Sequence, residues 1–158
     1  QERVHQILYE LYQNAPDGLS GNEDCGQMSS WYNLSAMGFY SVTPGSDYYV
    51  IGTPIFDKIT LQLENGQQFV LRANNLSPTN KYIQSATLNG VAYQASYLHH
   101  ATIMDGGELV FEMGAQPQPQ WGSATAPPSR IADALVVPTP YLQTAGKTFT
   151  DSLSVEIG

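Results

Sequence analysis

The residues best placed to do chemistry lie in one short loop. Asp17, Glu23 and Asp24 stand among Gly18, Gly21 and Gly26 in the segment APDGLSGNEDCG. A carboxylate presented on a tight loop at the start of a helix can act as a general base toward water. The same spacing serves a structural end: Asp24 sits where the N-cap of a following helix would sit, and Gln27 completes a capping-box-like spacing with Asp in place of Ser or Thr. On spacing alone, capping is much the commoner role. Other residues argue for chemistry less well. His99 and His100 are adjacent, so on a strand they point to opposite faces, and with no third ligand suitably spaced they read as a surface pair. Trp31 and Tyr32 could stack on a sugar, yet inside an apolar helix such residues more often fill core, and Tyr48 and Tyr49 are read the same way. Trp121 reads as the anchor of the end of a β region. Cys25 has no paired His and, as the only cysteine, no internal disulfide partner; it is read as structural.

These candidates need elements to hold them. Val4, Ile7, Leu8 and Leu11 recur at i, i+3, i+4 and i+7, which predicts an amphipathic helix over residues 2–14. Residues 15–24 are loop by composition. From Cys25 to about Phe39 the pattern is helical again, with Met28, Trp31, Tyr32, Leu34 and Met37 spreading bulk around the axis, which predicts a deeply buried second helix. Thr43-Pro44-Gly45 then breaks the helical pattern. Ile59, Leu61 and Leu63 alternate with polar residues, Asn65-Gly66 has the signature of a type I′ turn, and Phe69, Leu71 and Ala73 alternate on the return. The arrangement recurs in Tyr82 to Leu88, Asn89-Gly90 and Val91 to Tyr97, and a last alternating run carries Leu109, Phe111 and Met113. The predicted fold is α+β: two helices, then an antiparallel β region of hairpins over residues 43–122, then an extended C-terminal tail. Residues 123–130 read as a Pro-rich linker, and 131–158 as the start of a further β-domain.

Composition bounds the function. A chain of 158 residues with 42% apolar and 13% charged residues can bury a sizeable core and is not disordered by composition. Six Lys+Arg against 14 Asp+Glu leave a net charge of -8, the wrong footprint for nucleic acid. No stretch approaches the roughly 18 apolar residues of a membrane span. The chain opens on Gln1 directly into a helical pattern and closes on an alternating run, FTDSLSVEI, so it is expected to be a segment of something longer.

The string GLSGNEDCGQMSSWYNLSAMGFYSVTPGSDYYVIGTPIFDKI, continued by NKYIQSATLNG, GGELVFEMG and WG, resembles glycoside hydrolase family 92, the calcium-dependent exo-α-mannosidases, across residues 1–122. The resemblance implies that residues 1–42 are the last helices of a catalytic (α/α)6 barrel, with the base loop at 15–24, and that 43–122 complete the mannosidase domain. It implies hydrolysis of terminal α-linked mannose with inversion. The last acidic residue of the family's GNED-type tetrad, its general base, falls on Asp24. Asn22 stands where a variant of the tetrad has a second Asp, so a base shared between two aspartates is not implied here, and Glu23 receives no assigned role.

An inverting glycosidase places its acid and base on opposite faces of the scissile bond, roughly 6.5–9.5 Å apart to admit a water. The family's general acid and most calcium ligands lie upstream of these motifs, so no metal ligand is assigned. The expectation is therefore a C-terminal fragment of a secreted or periplasmic exo-α-mannosidase acting on mannose-containing glycans, inactive by itself. Its partner is the remainder of the parent enzyme, and self-association through exposed barrel helices is open to it. The alternative is a non-catalytic carbohydrate-binding or docking β module. The tail VVPTPYLQTAGKTFTDSLSVEI is similar to the opening of the β-domains appended to hexosaminidases and related secreted enzymes.

Overall fold

The computed structural model describes residues 1–128 and Asp151, so the β-domain expected over 131–158 falls, Asp151 apart, outside the described residues. Helix α1 runs Glu2–Glu10. It buries His5 and Leu8, while Arg3, Gln6 and Glu10 form a hydrogen-bonded row on its outer side at 2.9 and 2.8 Å. The helix stops short of the predicted residue 14 because the chain folds back on itself. The Gln13 amide donates to the Gly18 carbonyl and the Gly18 amide to the Ala15 carbonyl. Gly18 is required for that closure, since a Cβ there would stand 1.9 Å from the Gln13 oxygen.

A 3-10 turn, Asp24–Gly26, leads into α2, Gln27–Met37. Gly38 ends α2 in the left-handed region (φ 99°), the usual glycine C-cap conformation. The predicted deep burial of this helix is not found: only Ser35 and Ala36 are buried. Apolar residues placed all round a helix need neighbours all round it, and among the described residues α2 meets α1 on one side and β1 on another.

The strands are β1 (Phe39–Tyr40), β2 (Tyr48–Ile51), β3 (Lys58–Gln62), β4 (Gln68–Asn74), β5 (Tyr82–Leu88), β6 (Val91–Ala92), β7 (Tyr97–His99) and β8 (Gly107–Gly114), with a short helix α3 (His100–Met104) before β8. They form a three-stranded sheet, β1-β2-β7, and a five-stranded sheet, β3-β4-β8-β5-β6. Phe39 therefore belongs to a strand rather than to the second helix, and it packs in the core.

Two corrections to the hairpin reading follow. The β region is mixed, because β8 enters between β4 and β5 and runs parallel to β4. The run expected from Val91 to Tyr97 splits: β6 stays beside β5, and β7 crosses to the smaller sheet. Alternation marks which face of a strand is buried, and it is blind to which strand lies alongside. The buried face itself was legible, since Phe69, Leu71 and Ala73 of β4 and Leu109, Phe111 and Met113 of β8 are all buried. On the outer face Arg72 Nε meets Glu108 Oε1 and Asn74 Nδ2 meets Glu112 Oε1, both at 2.6 Å, along the parallel β4–β8 pair.

The two Asn-Gly pairs differ. Asn89 (φ 50°) and Gly90 (φ 79°) are both left-handed, as a type I′ turn requires. At Asn65-Gly66 only Gly66 is left-handed (φ 82°), and its amide donates to the Leu63 carbonyl at 2.9 Å. That is a type I turn closed by a left-handed glycine. Both asparagine side chains are used at a distance. Asn65 Nδ2 donates to the Met104 carbonyl at 2.7 Å, and Asn89 Oδ1 accepts from the Glu108 amide at 2.8 Å, so the two turns together fix the segment that enters β8.

Both helices rest on the β region. The Ile83 amide donates to Gln1 Oε1 at 2.9 Å, and the Ile55 amide donates to the Ala36 carbonyl at 3.1 Å. Leu11, the C-cap of α1, stays 48% exposed, and Val42 beyond β1 is 62% exposed.

Candidate active site

The acidic loop joins α1 to α2, and its ends are held by aromatic packing. The Tyr12 ring stacks on Trp31 with centroids 5.7 Å apart and tilts against Tyr32 at 4.8 Å; Trp31 in turn meets Tyr40 at 6.4 Å. Trp31 and Tyr32 are thus half-buried members of an aromatic row and not deep core. Burial first, and the negative charge of Glu23 second, hold the Tyr12 phenol above its ordinary value of 10. It stays a neutral donor, aimed at the Met28 carbonyl at 3.4 Å.

The loop backbone reverses sharply before α2. Asp24 opens the 3-10 turn, and the next two residues, Cys25 (φ 54°) and Gly26 (φ 77°), are both left-handed. Cys25 is exposed. A left-handed non-glycine residue is uncommon and costs roughly 1–2 kcal/mol. Gly26, rather than Asp24, is the N-cap of α2, and it has no side chain with which to cap.

The capping role expected for Asp24 belongs instead to Glu23. Both oxygens of the Glu23 carboxylate lie 3.2 Å from the Ser29 amide, which donates to them, so a negative charge meets the N-terminus of α2. The Asp24 backbone carbonyl accepts from the Gln27 amide, while its carboxylate makes no hydrogen bond to another described residue and is exposed. Asn22 and Asp17 are exposed on the same loop. Counting three residues from Asp24 to Gln27 missed this exchange, because two left-handed residues shift the helix start. Gly26 was the available signal, since glycine is tolerated at an N-cap and favours positive φ.

An open cavity of about 290 Å³ lies beside the loop between Tyr12, Asn14, Leu19, Tyr32 and Asn33. Asp24 and Asn22 are not among its walls. Elsewhere the histidine pair does structural work. His99 Nδ1 accepts from the Ala101 amide at 3.1 Å as the cap of α3, and its Nε2 lies 2.7 Å from Asp47 Oδ2. His100 Nδ1 is 3.2 Å from the Tyr49 hydroxyl. Trp121 anchors the end of the β region as expected, donating from Nε1 to the Tyr93 carbonyl at 3.0 Å and meeting Phe111 edge-on.

Calcium takes six to eight oxygen ligands. Among the described residues no three of His, Cys, Asp or Glu come together where they could hold a metal ion. These residues by themselves do not fit a calcium centre. No helix among them is long and apolar enough to cross a membrane.

Comparison with known proteins places this arrangement. The model of the glycosyl hydrolase family 92 catalytic domain matches residues 1–115. The structure of a family GH92 α-mannosidase from Bacteroides thetaiotaomicron in complex with mannoimidazole superposes with a TM-score of 0.77 at 41% identity, over 81% of this chain and 17% of that one. A family GH92 inverting mannosidase of the same species gives 0.72 at 41% identity, over 77% of this chain and 17% of that one. An uncharacterized secreted glycosidase of Arthroderma benhamiae is 30% identical in an alignment of 133 positions that covers 81% of this chain and 17% of the relative's own length. The chain thus spans less than a fifth of each of these relatives.

Proposed function

The chain belongs to glycosyl hydrolase family 92, and from that membership we propose that it is the C-terminal part of an inverting exo-α-mannosidase, supplying the general base Asp24 and not the general acid. Its helices α1 and α2 are the last of an (α/α)6 barrel. The parent enzyme removes terminal α-linked mannose from glycans, a substrate class supported by the mannosidases among its structural relatives.

One observation carries the assignment of the base. Of the neighbouring carboxylates of Glu23 and Asp24, that of Glu23 is engaged by the Ser29 amide and that of Asp24 makes no hydrogen bond to another described residue. A general base must have a free oxygen within hydrogen-bond reach of the water it activates. Both Asp24 carboxylate oxygens are free of hydrogen bonds to other described residues, whereas both Glu23 oxygens already share the Ser29 amide. In the inverting geometry Asp24 takes a proton from a water attacking one face of the sugar, and an acid from outside these 158 residues protonates the leaving oxygen on the other. Calcium belongs to the parent enzyme, held mainly by ligands from its other segments. The secreted relative from Arthroderma benhamiae supports a secreted or periplasmic location.

Asp24→Asn in the full-length enzyme tests the assignment. An amide cannot accept the water proton, so kcat/KM is expected to fall about 10²–10⁴-fold. Because the Asp24 carboxylate holds no cap bond, thermal stability should stay at the parent value. Activity within a few-fold of the parent would refute Asp24 as the base.

A further inference from the structure

We propose that Glu23 is a positioning residue: its carboxylate clamps the start of α2 and thereby fixes the backbone that presents Asp24. The proposal rests on the reading of Asp24 as the base. Asp24 is separated from α2 by two successive left-handed residues, Cys25 and Gly26, so the helix does not by itself determine where Asp24 points. Two connections tie this reversal to the start of α2. One is the Gln27 amide donating to the Asp24 carbonyl. The other is the Glu23 carboxylate, which reaches over the reversal to the Ser29 amide with both oxygens at 3.2 Å.

The carboxylate lies close above the reversal, since a Cβ built on Gly26 would sit 3.7 Å from Glu23 Oε1. The segment from Glu23 to Ser29 is therefore closed at both ends, with Asp24 and the left-handed Cys25 inside it. The left-handed Cys25 is disfavoured in isolation and persists only where its surroundings hold it. Removing the clamp frees the reversal to relax, and a shift of about 1 Å in a catalytic group is enough to cost about 10²-fold in rate. A positional role of this kind needs an acceptor at residue 23. It does not need a charge there.

That distinction sets the experiment, done in the full-length parent enzyme with Glu23→Ala, Glu23→Gln and Asp24→Asn in parallel. Steady-state kinetics on an aryl α-mannoside give kcat and KM, and peptide-level hydrogen exchange over residues 24–29 reports the clamp independently of activity. Glu23→Ala is expected to exchange faster over 24–29 and to lose about 10–100-fold in kcat, with KM within about threefold. Glu23→Gln keeps an acceptor for the Ser29 amide, so it should hold the parent exchange rate and a kcat within about fivefold. Positioning is overturned if Glu23→Ala keeps kcat, whether or not exchange rises. It is also overturned if Glu23→Gln loses as much kcat as Glu23→Ala while its exchange stays normal, because charge and not the clamp would then matter. An active Asp24→Asn enzyme overturns it through its premise, and the exchange data then still show whether the clamp exists.

Discussion

His5 shows how a single buried side chain couples this fold to pH. It lies against Tyr9 with ring centroids 4.5 Å apart, and burial first, with the positive charge of Lys81 second, holds its imidazole below the ordinary 6.5. The folded state therefore binds a proton there less readily than the unfolded state. Stability from this group is complete above about pH 6.5 and is lost as pH falls from there through the lower folded value. The expected outcome is a melting temperature that drops between pH 7.5 and 5.5, and a smaller drop in His5→Gln, which cannot titrate. Equal drops in the two proteins would place the acid sensitivity elsewhere. The Glu23 and Asp24 pair makes the same point about specificity of role. Adjacent carboxylates of similar chemistry divide into one that is engaged by an amide and one that is not, and the division is made by the backbone between them and α2.

At the scale of elements, the entry of β8 between β4 and β5 is the step that completes the larger sheet. It depends on Gly107 and Asn89. Gly107 has φ 122°, and a Cβ there would stand 2.3 Å from Asn89 Oδ1, the atom that accepts from the Glu108 amide. Gly66 is also left-handed, but a Cβ there would meet nothing within 4 Å. Gly66→Ala is therefore expected to cost about 1–2 kcal/mol from backbone strain alone. Gly107→Ala adds the loss of the Asn89 bond and costs about 1–2 kcal/mol more than that. Urea denaturation of the two variants checks the order, and equal midpoints would show that the Asn89 contact does not secure β8. Conversely, the Arg72–Glu108 pair is close to half exposed on both sides, so removing it should change stability little.

At the scale of the whole molecule, the chain carries an acidic loop and a β region with a shared core, and it spans 17% of the family members of known structure to which it is similar. An inverting hydrolysis needs an acid and a base across the substrate. The prediction is that the 158 residues purified by themselves do not turn over an aryl α-mannoside, while the full-length parent does. Turnover by the isolated chain would mean that the acid lies within it. The helices do not wait for other segments to find a packing surface, since Leu8 and Ala36 are buried against the rest of the chain. Leu11, just past α1, and Val42, just past β1, remain exposed.

What the sequence determined by itself is what repeats locally. The 3.6-residue spacing of Val4, Ile7, Leu8 and Leu11 marked α1, the period-two alternation of Phe69, Leu71, Leu109 and Phe111 marked the buried face of the larger sheet, and Asn89-Gly90 marked a type I′ turn. The GNEDCGQMSSWY string was enough to point to the family. Only the tertiary structure decided which strand lies beside which, because a strand's alternation is the same for a parallel and an antiparallel neighbour, and β8 chose both. It alone decided the shape of the Asn65-Gly66 turn, where the asparagine side chain is spent on the Met104 carbonyl. It alone moved the cap from Asp24 to Glu23, because the left-handed turn at Cys25 is a property of the folded loop and not of a cysteine in a sequence.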